Sequence, residues 1–492
     1  MRQRRTIYFN DARHYYLFVH EPPMRMADAW SAVDEIAGTG VDTFVYGVSR
    51  DDGLFYPSRV GRRFGADVDG RHGQAAYWRV WHNMQSLIDR GLDPLQVLID
   101  RAHERGLDFI ASLRMGGYPG LPAETYVANG GRGMALDEVR DFQFRLLEEL
   151  LTEYTVEGIE LDFAAAPLGT GPWFAAEEAA GLAPVMTEFV RRVTDCARQR
   201  SGDSGLVGAR VYPTRELNER TGLEVDRWLQ EGLVDYVVPL VYGDMVLDNA
   251  MPVDWLIEAA HEADISVYAM LQPYSQPGDK PGTTRVHPTP AMFRAAAANY
   301  WQAGVDGLYI WFMSWPPGEI ERAILDQLAD PVQVLEGDKH YVVRTAPAES
   351  REIEYPASLP VSIDPATDLG RSFEIPFVVA DDLESSDPAV SRVTAVELRV
   401  CIRDLTLADR VEIRLNGTSL AGETVHRRVP DPIVPYAAQR LDIELRNQRP
   451  HAGSNLLEIV LLERPKDLVS PLCIESVEVL VRYGTYPSTA LV

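Results

Sequence analysis

The chain has 492 residues, 46% hydrophobic and 24% charged, so it is long enough for two or three cores and is not composed for wholesale disorder. Its net charge of −26 excludes a nucleic-acid binder, which needs clustered Lys and Arg to displace counterions, and favours neutral or cationic ligands. No 18-residue apolar run occurs, and the basic start MRQRRTIYFNDARHYY lacks the apolar centre of a secretory signal, so the expectation is a cytoplasmic protein with no membrane span.

From residue 6 to about 330, short apolar runs alternate with amphipathic helical stretches. The runs are 7–9, 41–48, 107–115, 156–163, 206–213, 234–243, 265–273 and 305–313, each apolar enough to be buried on both faces, as parallel strands are. Asp93-Pro94 and Thr289-Pro290 open helices with a cap followed by proline, and Gly106 and Gly304 close them. Residues 136–154 carry Phe142, Leu146, Leu147 and Leu150 as a helical stripe. Eight such βα units predict a (β/α)8 TIM barrel over residues 1–335. The rival, a doubly wound sheet, wants a Gly-rich phosphate-binding first turn, and FNDARHYY is not one. Gly40-Val41-Asp42, Leu233-Val234-Asp235 and Gly304-Val305-Asp306 repeat one pattern at strand starts. There the glycine suits a left-handed helix cap and the aspartate a cap at the strand base, away from the chemical face.

Past about 340 the period changes. Val396, Leu398, Val400 and Ile402 alternate, as do Val411, Ile413 and Leu415 and then Val477, Val479 and Val481, with the turn pair Asn416-Gly417 between. Residues 336–492 therefore read as a linker and an all-β sandwich, with 349–392 wrapping the junction. Packing or assembly, including a homo-oligomer through the sandwich, is its expected role, because its outward positions carry Glu and Arg and not rows of aromatics.

Function in a barrel collects at the C-terminal strand ends. These offer Asp11, Tyr46, Arg114, Glu160, Asp162, Tyr212, Tyr242, Asp244, Gln272, Trp311 and Trp315. Glu160 and Asp162 stand two apart on one strand, so both carboxyls face the same side. Carboxyls inside a barrel are costly unless paired or used. A pairing of Glu160 with Arg114 or Arg210 is the purely structural alternative. Glycoside hydrolysis needs two carboxyl groups flanking the bond, and Asp162 with Asp244, then Glu160 or Asp11, supplies them. The remaining polar and aromatic residues are expected to bind a sugar. No metal or other cofactor is expected, since Cys196, Cys401 and Cys473 have no ligand spacing and no zinc or phosphate-loop motif appears.

GIELDF at 158–163, VVPLVYGD at 237–244, GLYIWFMSW at 307–315, the opening IYFNDAR and AHERGLDFIASLRM at 102–115 resemble bacterial glycoside-hydrolase-like barrels of the family-10-like glycosyl hydrolase type. The resemblance covers about 5–330, and the RLNG turn extends it to the accessory β domain that follows such barrels. It implies a carbohydrate substrate and carboxylate catalysis centred on Asp162, with Asp244 less firmly placed. Gly116-Gly117 stands where a polar pair is expected, and Ala164 departs from the glutamate that ends the corresponding chitinase motif. Two other readings stay open: a non-catalytic carbohydrate-binding barrel, and a sugar lyase or isomerase marked by a basic pocket around Arg114 and Arg210.

Overall fold

The computed structural model describes residues 4–11, 16–50, 52–125, 133–164, 173–201, 205–242, 245–275, 286–346, 354–383, 392–430 and 438–484. The eight apolar runs become eight parallel strands: β1 (Arg5–Asp11), β2 (Thr43–Gly47), β3 (Asp108–Arg114), β4 (Gly158–Asp162), β5 (Leu206–Val211), β6 (Tyr236–Pro239), β7 (Ser266–Leu271) and β8 (Gly307–Ile310). They close on themselves in the order β1-β8-β7-β6-β5-β4-β3-β2, which settles the barrel against the open sheet.

Helices α1 (Tyr16–Val19) and α2 (Met26–Asp34) follow β1, and α3 (Ala75–Ile88) and α4 (Pro94–Glu104) follow β2. The outer ring continues with α5 (Asp137–Glu153), α6 (Ala179–Ser201), α7 (Arg215–Arg220), α8 (Val225–Gln230), α9 (Asp254–Glu262), α10 (Pro290–Ala303), α11 (Glu319–Leu328) and α12 (Pro331–Leu335). The caps are those the sequence specifies. Asp93 accepts from the Leu95 and Gln96 amides, Thr289 accepts from Met292, and Gly304 ends α10 at φ 96°.

The strand-base carboxylates form a regular device. Asp42 Oδ2 accepts the Thr6 amide at 2.9 Å, Glu157 Oε2 the Phe109 amide at 2.7 Å, Asp235 Oδ2 the Val207 amide at 2.7 Å, and Asp306 Oδ2 the Val267 amide at 3.0 Å. In each case the residue at the foot of an even strand caps the odd strand before it. Glu157 is the member that the glycine pattern missed. Gly40 is a correction: it is not a left-handed cap, for Gly38 takes that turn at φ 74°. A Cβ on Gly40 would lie 2.5 Å from Ala329 Cβ, so the need there is close approach.

The second domain packs a six-stranded sheet on a four-stranded one. The larger sheet runs β9 (Lys339–Val342), β18 (Leu472–Tyr483), β12 (Val393–Arg403), β16 (Ala438–Glu444), β15 (Thr424–Arg428), with β10 (Val361–Ile363) on β18; the smaller runs β11 (Ser372–Val379), β17 (Gly453–Glu463), β13 (Arg410–Leu415), β14 (Thr418–Ser419). Asn416 and Gly417 take φ 51° and 78°, the double left-handed turn that joins β13 to β14. Residues 349–392 were expected only to wrap the junction. Instead β10 and β11 enter the two sheets, and Ile375, Phe377 and Val379 of β11 join the core. The domains meet where α10 packs on β9, and there a buried Lys339 Nζ sits 2.7 Å from Asp381.

Candidate functional site at the C-terminal end of the barrel

Strand parity decides which side chains enter the barrel. Phe9 and Asp11 of β1, Ser112 and Arg114 of β3, Glu160 and Asp162 of β4, Arg210 of β5, Tyr236 of β6 and Tyr309 of β8 all point inward, as their mutual contacts show. Gly208 on β5 makes room for one of them, since a Cβ there would stand 1.9 Å from Cζ of Tyr236.

Arg210 is the centre of this interior. Its Nη1 lies 3.2 Å from Asp162 Oδ2, and its Nη2 donates to the Tyr309 hydroxyl at 2.5 Å. Nε stands 2.8 Å from Glu160 Oε1 as a charge contact, with its N–H off the line of a hydrogen bond. The guanidinium lies 3.8 Å from the Phe9 ring centre, and all three charged side chains are at most 1% exposed. Burial alone would lower the Arg210 pKa. The facing Glu160, Tyr309 and Asp162 reverse that and raise it above its ordinary value.

Glu160 is enclosed on all sides. It accepts from Ser112 Oγ at 2.7 Å, Tyr309 at 3.0 Å and Tyr236 at 3.2 Å. Burial still holds its carboxyl above the usual range, opposed by Arg210 and reinforced by Asp162. The pairing with Arg210 left open in the sequence is therefore present, and it extends to Asp162 as well.

Asp162 lies at the end of β4, one layer nearer the mouth. Tyr212 is buried beside it and donates to the Phe163 carbonyl at 3.3 Å; burial first, and then the charge of Asp162, push its phenol up. Above stands a second ion pair, Arg114 to Asp11 at 2.6 Å. The Arg114 guanidinium lies 5.5 Å from the Tyr242 ring centre, and Tyr242 meets Trp311 at 5.3 Å. The mouth thus brings together Asp11, Arg114, Asp162, Tyr212, Tyr242 and Trp311. Gln272 is at its edge, where Nε2 donates to the Val241 carbonyl at 2.8 Å.

Two expected residues lie elsewhere. Tyr46 faces the helix layer, packed on Phe44, Phe109 and Tyr16 of α1. The inward places on β2 go to Val45 and to Gly47, whose missing Cβ admits the Phe9 ring. Trp315 turns outward, donating its indole N–H to Glu35 at 3.1 Å and meeting His20 edge-on. Asp244 falls outside the described residues. Sequence reasoning missed Phe9, Ser112, Tyr236 and Tyr309; for Phe9, Ser112 and Tyr309 a spacing of two from Asp11, Arg114 and Trp311 along the strands is the signal that finds them.

A scan against models of known families finds no match, and a search of curated proteins finds none. Among solved structures the chain is similar to an alpha-L-fucosidase isoenzyme from Paenibacillus thiaminolyticus, with 13% identity, 68% of this chain and 49% of that one covered, and a TM-score of 0.41. It thus spans about half the length of that fucosidase. An alpha-L-fucosidase from Bacteroides thetaiotaomicron is similar at 10% identity, covering 92% of this chain and 84% of that one, with a TM-score of 0.37. The spore cortex-lytic enzyme of Bacillus megaterium is similar at 9% identity, covering 66% and 74%, with a TM-score of 0.38. Identities of this size carry no residue role across.

Proposed function

We propose that the chain is a glycoside hydrolase acting on an oligo- or polysaccharide, with Asp162 as its central carboxylate. The observation that carries this is the Arg210 contact: a buried guanidinium, held from beneath by Glu160, fixes Asp162 at the mouth. Asp162 then acts as nucleophile or as the base that activates water, against a second carboxyl that protonates the leaving oxygen. Asp244 is the first candidate for that second group and Asp11 the next. Glu160, with three hydrogen-bond donors on it and no exposed surface, serves as a positioning residue. Tyr242 and Arg114 form the wall that meets the sugar. The family-10-like sequence resemblance points the same way.

The lyase or isomerase reading called for a basic pocket. Arg114 and Arg210 are each matched by carboxylates, which leaves that reading without its distinguishing feature.

The test is a product screen over a polysaccharide panel, read by mass, followed by Asp162→Asn on any substrate found. Loss of turnover by about a thousandfold with unchanged folding is expected, the scale on which a positioned acid or base works. Unchanged turnover sinks the proposal. Sugar binding with no product from the parent protein would assign a binding barrel instead.

A further inference from the structure

We infer that the β-sandwich domain acts as a bracket on the loop after β6, and so positions the wall of the sugar site. A continuous chain of contacts runs from one domain to the other. Tyr355, in the segment leading into the sandwich, donates its hydroxyl to Asp248 Oδ2, and the Arg344 guanidinium stacks 4.0 Å from the Tyr355 ring centre. Arg344 Nη1 also donates to the Tyr355 carbonyl at 2.7 Å, and its Nε is 3.9 Å from Asp248. Asp248 is 7% exposed and Tyr355 is 8% exposed, so the contact is sealed from solvent.

From Asp248 the order passes along the loop. The Leu247 amide donates to the Tyr274 carbonyl at 2.7 Å, the Tyr274 amide to the Met245 carbonyl at 3.1 Å, and the Met245 amide to the Tyr242 carbonyl at 3.2 Å. Tyr242 is the ring set over Arg114 and against Trp311. A second tie holds the same stretch from below. The Asn299 side chain donates to the Asn249 carbonyl of the loop at 2.8 Å and to the Val378 carbonyl of β11 at 3.1 Å. The Tyr300 hydroxyl donates to the Asp248 carbonyl at 2.5 Å.

A loop held only by its own hydrogen bonds opens readily, whereas one tied to buried groups of a second domain opens only when that contact breaks. The Tyr355–Asp248 bond therefore sets how firmly Tyr242 is held, and Tyr355, Arg344 and Asp248 are positioning residues. The kinetic part of this inference rests on the glycosidase reading; the structural part does not.

The test is Tyr355→Phe in the full chain, which keeps the ring and removes only the hydroxyl, compared with Tyr341→Phe. Tyr341 donates to Asp381 at 2.6 Å inside the sandwich, between its two sheets, so it reports general loosening of that domain. Amide hydrogen exchange over residues 245–248 should rise about tenfold in Tyr355→Phe and stay at the parent rate in Tyr341→Phe. On a sugar substrate, KM should rise roughly five- to tenfold with kcat within about twofold, the pattern of lost binding and not lost chemistry. Unchanged exchange overturns the bracket, as does faster exchange with an unchanged KM. Faster exchange confined to Tyr355→Phe, in a parent protein that turns over no sugar, upholds the bracket and overturns the hydrolase reading.

Discussion

At the scale of single residues, one guanidinium organises the interior. Glu160 and Asp162 were legible as same-face carboxyls because a strand has a period of two. Arg210 was legible as a candidate partner but not as a partner shared by both, since spacing within one strand says nothing of register against the next. Tyr46 shows a different gap. Both faces of a barrel strand are buried, so Phe44 and Tyr46 read no differently from Val45 and Gly47, and no polar alternation marks the lumen. Glu35 carries a residue-scale prediction. Among the described residues its Oε1 is buried with no hydrogen-bond partner and Oε2 accepts only from Trp315, and burial pushes the carboxyl up to about 8 against that opposing bond. The folded state therefore holds this proton over a pH range in which the unfolded chain has released it. The resulting stability is full below the unfolded glutamate range and is lost as pH climbs toward about 8. Glu35→Gln keeps the Trp315 bond and removes the ionisation. Denaturant unfolding at pH 5 and pH 9 should show the variant gaining on the order of 2 kcal/mol over the parent at the alkaline end, with near equality at the acid end. Parallel pH curves would refute this.

At the scale of elements, the caps at the strand bases explain why three strands begin with Val-Asp. At the base of β3, β5 and β7 the first amide donates to a neighbouring main-chain carbonyl, and in all four odd strands a carboxylate from the foot of the next strand supplies the acceptor for the second amide. Asp235 does so for Val207 although burial holds its carboxyl above the usual range, opposed by that same amide. An acceptor is needed there, and a charge is not. Asp235→Asn should leave stability nearly unchanged, while Asp235→Ala should cost about 1–3 kcal/mol, the cost of a buried donor without a partner. Equal losses in urea unfolding would mean that the charge matters after all. The helix boundaries were legible for the same local reason, because Asp93-Pro94 and Thr289-Pro290 act on amides two or three residues away.

At the scale of the whole molecule, the two-domain order was readable from the change of period near residue 340, but the sandwich was read thinly. Pro376, with Ser372 and Glu374 earlier in the strand, hid β11, whose alternation of Ile375, Phe377 and Val379 is regular once the edge position of the strand is known. That 349–392 reaches the junction was legible, as Tyr355 and Val378 show, but its individual contacts were not, because they join side chains far apart in the chain. Lys339 Nζ is bound to Asp381 and to the Leu335 and Gly337 carbonyls, and burial, opposed by Asp381, lowers its pKa. Removing one partner of a buried pair leaves the other charge stranded, so Lys339→Met should cost about 3–5 kcal/mol. Calorimetry of the parent should show one cooperative transition for both domains, with Lys339→Met separating them into two. Two resolved transitions in the parent would show that the junction does not couple the domains.

The four strand-base caps also bear on how the barrel comes together. Each joins an odd strand to the even strand that follows it: β1 to β2, β3 to β4, β5 to β6, β7 to β8. The closed ring is thus stitched in twos, with one or two α-helices between the members of a pair enclosed in each stitch. A nascent chain that has reached the foot of an even strand can satisfy every cap its predecessors need, whereas one halted after an odd strand leaves an amide open. Growth during synthesis would then advance by two strands at a time, and the seam between β4 and β5 is where a half-barrel could end with all of its stitches tied.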